Sequence, residues 1–244
     1  MRAKPEHIGK IHLVFDVENL SCMTNGHLLS FACVMFHADE GWMEDVSFSL
    51  KQERGKPNGH IDPGTVKWWI MQALQNPEAA METFNVLRSD DDTWSIDAAA
   101  FQFGNWLNET LRDYVEVSPE EMNFVRDTKL KQHGRPDYFA ELDLQVWGHA
   151  PRVDIIQLEK VLFGGEGKGP WDFRQENDTR TLMKRWSRLR PGEGGLWELA
   201  DAQAEARCPL ARHTAIRDAY RQAYMVIIDH GWLERFPRLK PEYD

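Results

Sequence analysis

The chain has 244 residues, 42% hydrophobic and 28% charged, a globular composition rather than a disordered or fibrous one. Its 39 acidic residues against 29 Lys and Arg leave a formal net charge of −10 and a pI near 5.4. That balance excludes a protein that coats long nucleic acid through many basic phosphate contacts, but not an enzyme that grips one end of a strand. No run approaches the roughly 18–20 apolar residues needed to span a bilayer, and the first residues show no signal-peptide apolar region. Cys22, Cys33 and Cys208 form no CxxC pair, so neither a disulfide framework nor a cysteine zinc site is expected. A cytoplasmic protein with no membrane partner is the expectation.

Ile11–Phe15 is a β-rich run ending at Asp16-Val17-Glu18. Runs at His27–Phe36 and Val46–Leu50 follow, joined by short polar turns, which predicts an antiparallel meander. The stretch 55–64 holds three glycines and two prolines and reads as a loop. Thr65–Leu74 is helix-like, and Asn76-Pro77 ends it, with Pro77 able to start a second short helix. Between Ser95 and Val115, Ile96, Phe103, Trp106, Leu107 and Leu111 recur near the helical period and predict an amphipathic helix. Residues 119–138 are poorly patterned and read as an irregular excursion. Leu142–Trp147 alternates as a strand, Gly148 breaks it, and Val153–Phe163 reads as a helix. A loop at 164–169, a basic helix at Thr179–Leu189, a break at 191–195 and a long helix at His213–Ile228 complete the order. Strands first, then strands alternating with helices, describe a mixed α/β class.

Asp16 and Glu18 are two residues apart at a strand terminus, and period two puts both on one face. Like charges so close need a cation or a proton, and hard Mg²⁺ or Mn²⁺ prefers such ligands; otherwise one of the pair simply opens a turn. Asp154 near a helix start is either a first-turn carboxylate or a rigidly held ligand. His213 and Asp218 are five residues apart and would diverge by about 140° within one helix. They share a site only if His213 stands at or before the first turn.

In chain order, Asp16-x-Glu18, Trp147-Gly148 with Asp154, and His213-x-Ala215-x-x-Asp218 resemble the DEDD superfamily of metal-dependent 3′→5′ exonucleases, and its histidine-bearing DEDDh branch in particular. The stretch Asp62-Pro63-Gly64-Thr65-Val66-Lys67-Trp68-Trp69 with Gln72 is similar to a segment of phage and prophage exonucleases, relatives of exonuclease A and of the mycobacterial-type exoribonuclease domain. Pro170-Trp171-Asp172-Phe173 and Asp178-Thr179-Arg180-Thr181-Leu182 are similar to the same group, and the resemblance runs over roughly residues 11 to 226. Two positions depart from the pattern: His149-Ala150 stands where Asn-Gly commonly follows Trp-Gly, and Asn177 stands in place of an arginine.

The resemblance implies a ribonuclease H-like α/β fold, a mixed β-sheet flanked by helices, with an exonuclease domain over 8–230 and a C-terminal tail over 231–244. It implies two Mg²⁺ or Mn²⁺ ions held by Asp16, Glu18, Asp154 and Asp218, with His213 as the general base. Nucleoside 5′-monophosphates would be released from a single-stranded 3′ end, in the cytoplasm of a bacterium or a phage-infected host. DNA is slightly preferred as substrate; an exoribonuclease and a catalytically silent module that binds nucleic-acid ends are the alternatives. Substrate-contact candidates are Trp68 or Trp69, which are adjacent and cannot both face one way, together with His149, Asp178 and Arg180. Arg180, Lys184, Arg185, Arg188 and Arg190 form an acid-free basic stretch, either a phosphate attractor or a solvated helix face. Of the ten tryptophans, Trp232 is the one expected to be most exposed.

Overall fold

The computed structural model describes residues 2–53, 55–84, 90–116 and 141–235. In chain order these hold β1 (Arg2–Ala3), β2 (Ile11–Asn19), β3 (Leu28–His37), β4 (Met43–Ser49), α1 (Pro63–Gln75), α2 (Pro77–Thr83), α3 (Ile96–Leu111) and β5 (Val115–Glu116). After them come β6 (Gln145–Gly148), α4 (Pro151–Leu162), β7 (Glu176–Asp178), α5 (Thr179–Leu189), α6 (Leu196–Arg207), α7 (Ala215–Asp229) and α8 (Trp232–Arg235). The irregular excursion expected at 119–138 lies outside the described residues.

The main sheet has the strand order β4-β3-β2-β6-β7. β2, β3 and β4 form the expected antiparallel meander, with Asp16 opposite Ala32 and Glu18 opposite Ser30. On the other side of β2, β6 and then β7 run parallel to it. This is a ribonuclease H-like mixed sheet with helices on both faces. β1 and β5 pair in a separate two-stranded ribbon.

The two faces of β2 belong to two cores. Ile11, Leu13, Phe15 and Val17 pack with Phe31, Cys33 and Met35 against α3 and α4, whose Phe103, Leu107, Ile155 and Leu158 are buried there. Val14 packs with Ala32, Val34 and Phe36 against α5, α6 and α7. A strand covered on both faces loses hydrophilic alternation, so β2 is apolar on both faces over Leu13–Phe15. The alternation of side chains survives, and Asp16 and Glu18 inherit the face of Val14, the one that α7 covers.

Local chemistry sets the helix starts. Asp62 accepts a hydrogen bond from the Thr65 amide (2.7 Å) ahead of Pro63, and Ser95 accepts one from the Ala98 amide (3.2 Å). The strand expected from Leu142 begins only at Gln145. Asp143 has φ of +48°, a left-handed conformation that interrupts an extended run, while Leu142 and Leu144 are still buried. The three-residue β7 and the whole of α6 had no counterpart in the sequence reading, nor did the short β1, β5 and α8. Trp232 is a correction: it packs on the second core, stacked on His230 (4.5 Å between ring centroids) and edge-on to His12. The more exposed tryptophans are Trp68 and Trp94. No described helix is long and apolar enough to cross a membrane.

Candidate metal centre

β2 delivers Asp16 and Glu18 beneath α7, and Asp218 comes down from the first turn of α7 to meet them. One carboxylate oxygen from each of the three lies within 4.8 Å of the others. Asp154 joins from α4, close enough that its charge raises the proton affinity of both Asp16 and Glu18. Burial pushes Asp16 and Glu18 well above the usual carboxylate range, and the neighbouring carboxylates push them further. Asp154 is raised to about 6, again chiefly by burial.

Each aspartate has an oxygen tied down by a donor from this chain. Gln222 Nε2 donates to Asp16 Oδ1 (2.6 Å), the Ala150 amide to Asp154 Oδ2 (3.1 Å), and Arg221 is 2.9 Å from Asp218 Oδ2. Asp154 therefore fills its expected first-turn role, closing the start of α4, and its charge reaches the carboxylate group. Gly148 makes room for it, since a Cβ there would stand 3.0 Å from Asp154 Oδ2. Asp218 Oδ1 is buried with no hydrogen-bond partner. A buried, all-oxygen set that is short of positive charge, with one oxygen unpartnered, fits hard divalent cations such as Mg²⁺ or Mn²⁺.

His213 precedes α7, with φ of +63°, and Thr214 is the N-cap. This is the placement that lets His213 and Asp218 share a site, and its Nδ1 lies 3.9 Å from Asp218 Oδ2. The left-handed turn is held from α2 and its start: Thr83 Oγ1 donates to the His213 carbonyl (3.0 Å), and Asn76 Nδ2 to the Arg212 carbonyl (3.2 Å). The His213 side chain is 36% exposed and can reach solvent. Trp68, exposed on α1, sets its ring edge-on to His213 with centroids 5.4 Å apart.

The other candidate residues divide. Trp69 is buried and donates to the Asn19 carbonyl (3.0 Å), so it anchors α1 to the end of β2 and presents no face to a base. Asp178 caps α5 through the Arg180 amide (2.9 Å). His149 contacts Thr179 Oγ1 (3.1 Å), and burial, with Arg180 and Arg221, holds it down at about 4. The Arg180 side chain is exposed, and its charge acts on both His149 and Asp154. In the basic stretch Arg185 pairs with Asp229, and Arg190 lies over Trp186 (4.3 Å) and pairs with Glu193 (3.4 Å), so these two are tied to the protein itself.

Arg221, Gln222, Trp197 and Asp201 escaped sequence reading. Arg221 and Gln222 stand three and four residues after Asp218, so helical spacing alone could have put them on its side of α7. Trp197 and Asp201 could not be found, because α6 itself was not recognised.

A second group, His7, His37 and Glu40, also brings three ligand-type atoms within 4.8 Å. Most of its lone pairs are engaged by donors of the protein. The Asp39 and Glu40 amides both donate to His37 Nδ1 (3.2 and 3.1 Å), which assigns the ring proton to Nε2, and that nitrogen faces His7 Nδ1 at 3.1 Å. Tyr114 and Trp42 donate to Glu40 Oε2 (2.9 and 3.1 Å). This group is a hydrogen-bond network that already engages both histidines and one oxygen of Glu40.

No curated protein sequence matches the chain at a significant level. The profile of the 3'-5' exoribonuclease Rv2179c-like domain family does, over residues 11–228, which takes in every carboxylate of the cluster, His213 and the whole five-stranded sheet. By that match, nearly the length of the chain, the protein belongs to the 3'-5' exoribonuclease Rv2179c-like domain family.

Proposed function

We propose that the chain is a metal-dependent 3′→5′ exoribonuclease that releases nucleoside 5′-monophosphates from single-stranded RNA in the cytoplasm. The observation that carries this reading is the convergence of Asp16, Glu18 and Asp218 to within 4.8 Å in a chain of this family. The sequence leaned slightly to DNA; the family description favours RNA, and that is the reading adopted.

Asp16, Glu18, Asp154 and Asp218 would hold two divalent ions, whose chemistry is to activate a water and to stabilise the leaving 3′ oxygen. His213 takes the proton from the attacking water. Its position ahead of α7 suits this, since the ring is at once beside Asp218 and open to solvent. Trp68, exposed next to His213, offers a face for the terminal base, and base–aromatic stacking is sequence-tolerant. Arg180 offers phosphate a positive charge in an otherwise acidic protein.

The test is a 5′-labelled single-stranded oligoribonucleotide, and its deoxy counterpart, incubated with Mn²⁺ or with a chelator. A ladder shortened from the 3′ end, monophosphate products, dependence on Mn²⁺ and faster decay of the RNA are expected. Internal cleavage, or hydrolysis that survives chelation, would overturn the reading. Faster decay of the deoxy strand would restore DNA as the substrate.

A further inference from the structure

Arg221 is a buried guanidinium next to a candidate metal ligand, and its surroundings are built to keep it there. Trp197 covers one face, with the guanidinium carbon 3.8 Å from the ring centroid. Asp201, one helical turn along α6 from Trp197, faces its edge at 3.7 Å and also pairs with Arg217 (3.1 Å) and Arg212. On the side of the carboxylate cluster Arg221 meets Asp218 Oδ2 at 2.9 Å. Only 5% of its side chain is exposed, and its Nε is buried with no hydrogen-bond partner. An arginine exposed to solvent could swing out of the way of an incoming ion. This one is clamped.

Its charge reaches beyond Asp218. Asp218, which Arg221 holds, lies in the same 4.8 Å cluster as Asp16 and Glu18, so the guanidinium charge stands beside all three carboxylates. Gln222, the next residue, also grips a carboxylate of the cluster, Asp16, but it does so as a neutral donor. Two adjacent side chains of α7 thus hold two of the aspartates, one with a charge and one without.

We propose that Arg221 is a resident counter-cation of the carboxylate cluster, braced by Trp197 and Asp201, against which a divalent ion competes for Asp218. The inference rests on the proposed function, since it assumes that the cluster takes a divalent ion. Neutral partners that orient metal ligands typically strengthen binding by about 10- to 100-fold, and Gln222 is of this kind. Arg221 differs because a positive charge beside the ligand oxygen withdraws negative charge that the ion would use. It offsets the like charges around Asp218 before an ion arrives, and it weakens the ion's hold afterwards. Site assembly and metal affinity are therefore set against each other through one side chain.

The experiment is calorimetric titration of Mn²⁺, without nucleic acid, into wild type, Arg221→Met, Arg221→Lys and Gln222→Met, with the metal-free melting temperature of each recorded. Arg221→Met should melt lower without metal and bind Mn²⁺ about tenfold or more tightly than wild type. Arg221→Lys keeps the charge and should stay near the wild-type affinity. Gln222→Met should bind more weakly. If Arg221→Met binds no more tightly than wild type, or Arg221→Lys tightens as much as Arg221→Met, the counter-cation role is overturned. Should Arg221→Met fail to fold, Trp197→Ala, which loosens the clamp and leaves the charge, is read in its place: tighter Mn²⁺ binding supports competition, and unchanged or weaker binding overturns it. Absence of Mn²⁺ binding by wild type is a separate result, and would sink the proposed function itself.

Discussion

The strand pair β2–β3 carries a cluster of ligand-type residues at each end. At one end stand Asp16 and Glu18 with Asp218 and Asp154; at the other, beyond the pairing of Ile11 with His37, stand His7, His37 and Glu40. Residue types alone would nominate both for metal, and the histidine end looks the more familiar. Their hydrogen bonds separate them. The histidine end meets backbone amides, a phenol and an indole, and every one of these donates inward. The carboxylate end gathers acceptors, receives few donors and leaves Asp218 Oδ1 bare. A metal site is recognised by lone pairs that the fold has left unspent, more than by the identity of the residues around it.

The largest effect that would sharpen this contrast belongs to Asp16→Asn. Turnover on a 3′-labelled-end assay should drop to background, while the metal-free melting temperature holds or rises, because carboxylate repulsion is relieved and the Oδ1 acceptor for Gln222 is retained. Mn²⁺ should then raise the melting temperature less than in wild type. A large loss of metal-free stability would show that Asp16 is chiefly structural.

His213→Ala comes next. Removing a general base costs roughly 10²- to 10⁴-fold in turnover, and Mn²⁺ affinity measured by calorimetry should change little because all four carboxylates remain. A variant that trims RNA at near wild-type rate removes His213 from the mechanism.

The third prediction concerns stability against pH at the histidine end, where His12 is buried against Phe36 and accepts a hydrogen bond from Trp147 Nε1 (3.0 Å). Burial, with His230, His37 and Lys10, lowers its pKa to about 3. The unfolded chain protonates it near 6.5, so its contribution is complete above about 6.5 and is lost as pH falls towards 3, on the order of 5 kcal/mol in all. His12→Gln keeps an acceptor for Trp147 without the titration, and its melting temperature should fall less steeply than that of wild type between pH 6.5 and 4. Parallel curves would remove His12 as the acid-sensitive group.

The smallest effect is expected from His7→Ala. It opens the hydrogen-bond network at a cost of about 1 kcal/mol and should leave Mn²⁺-dependent hydrolysis unchanged. If Zn²⁺ or Mn²⁺ stabilises wild type through a site that His7→Ala abolishes, the two ends are alike after all and the comparison breaks.

The amino-acid sequence by itself determined the meander, the apolar stripe of α3 and the pairing of Asp16 with Glu18. Each of these is written in local terms, as β-rich runs, the helical period and period-two alternation, whereas α1 begins two residues before the expected Thr65 because Asp62 caps it. The gap between His213 and Asp218 was also legible as a condition, namely that the histidine stand before the helix, and φ of +63° at His213 meets it. Sequence did not disclose α6, because the buried face of that helix is built from Leu196, Ala200, Asp201 and Ala204, and alanines give a weak apolar stripe. Nor did it disclose β7, whose three residues become a strand only by pairing with β6. Tertiary structure alone decided which tryptophan of the adjacent pair is core and that Trp232 packs inward. It alone decided that Arg221, braced from α6, sits against Asp218. Packing decides these because a side chain's neighbours across the fold, rather than those along the chain, set its burial and its charge partners.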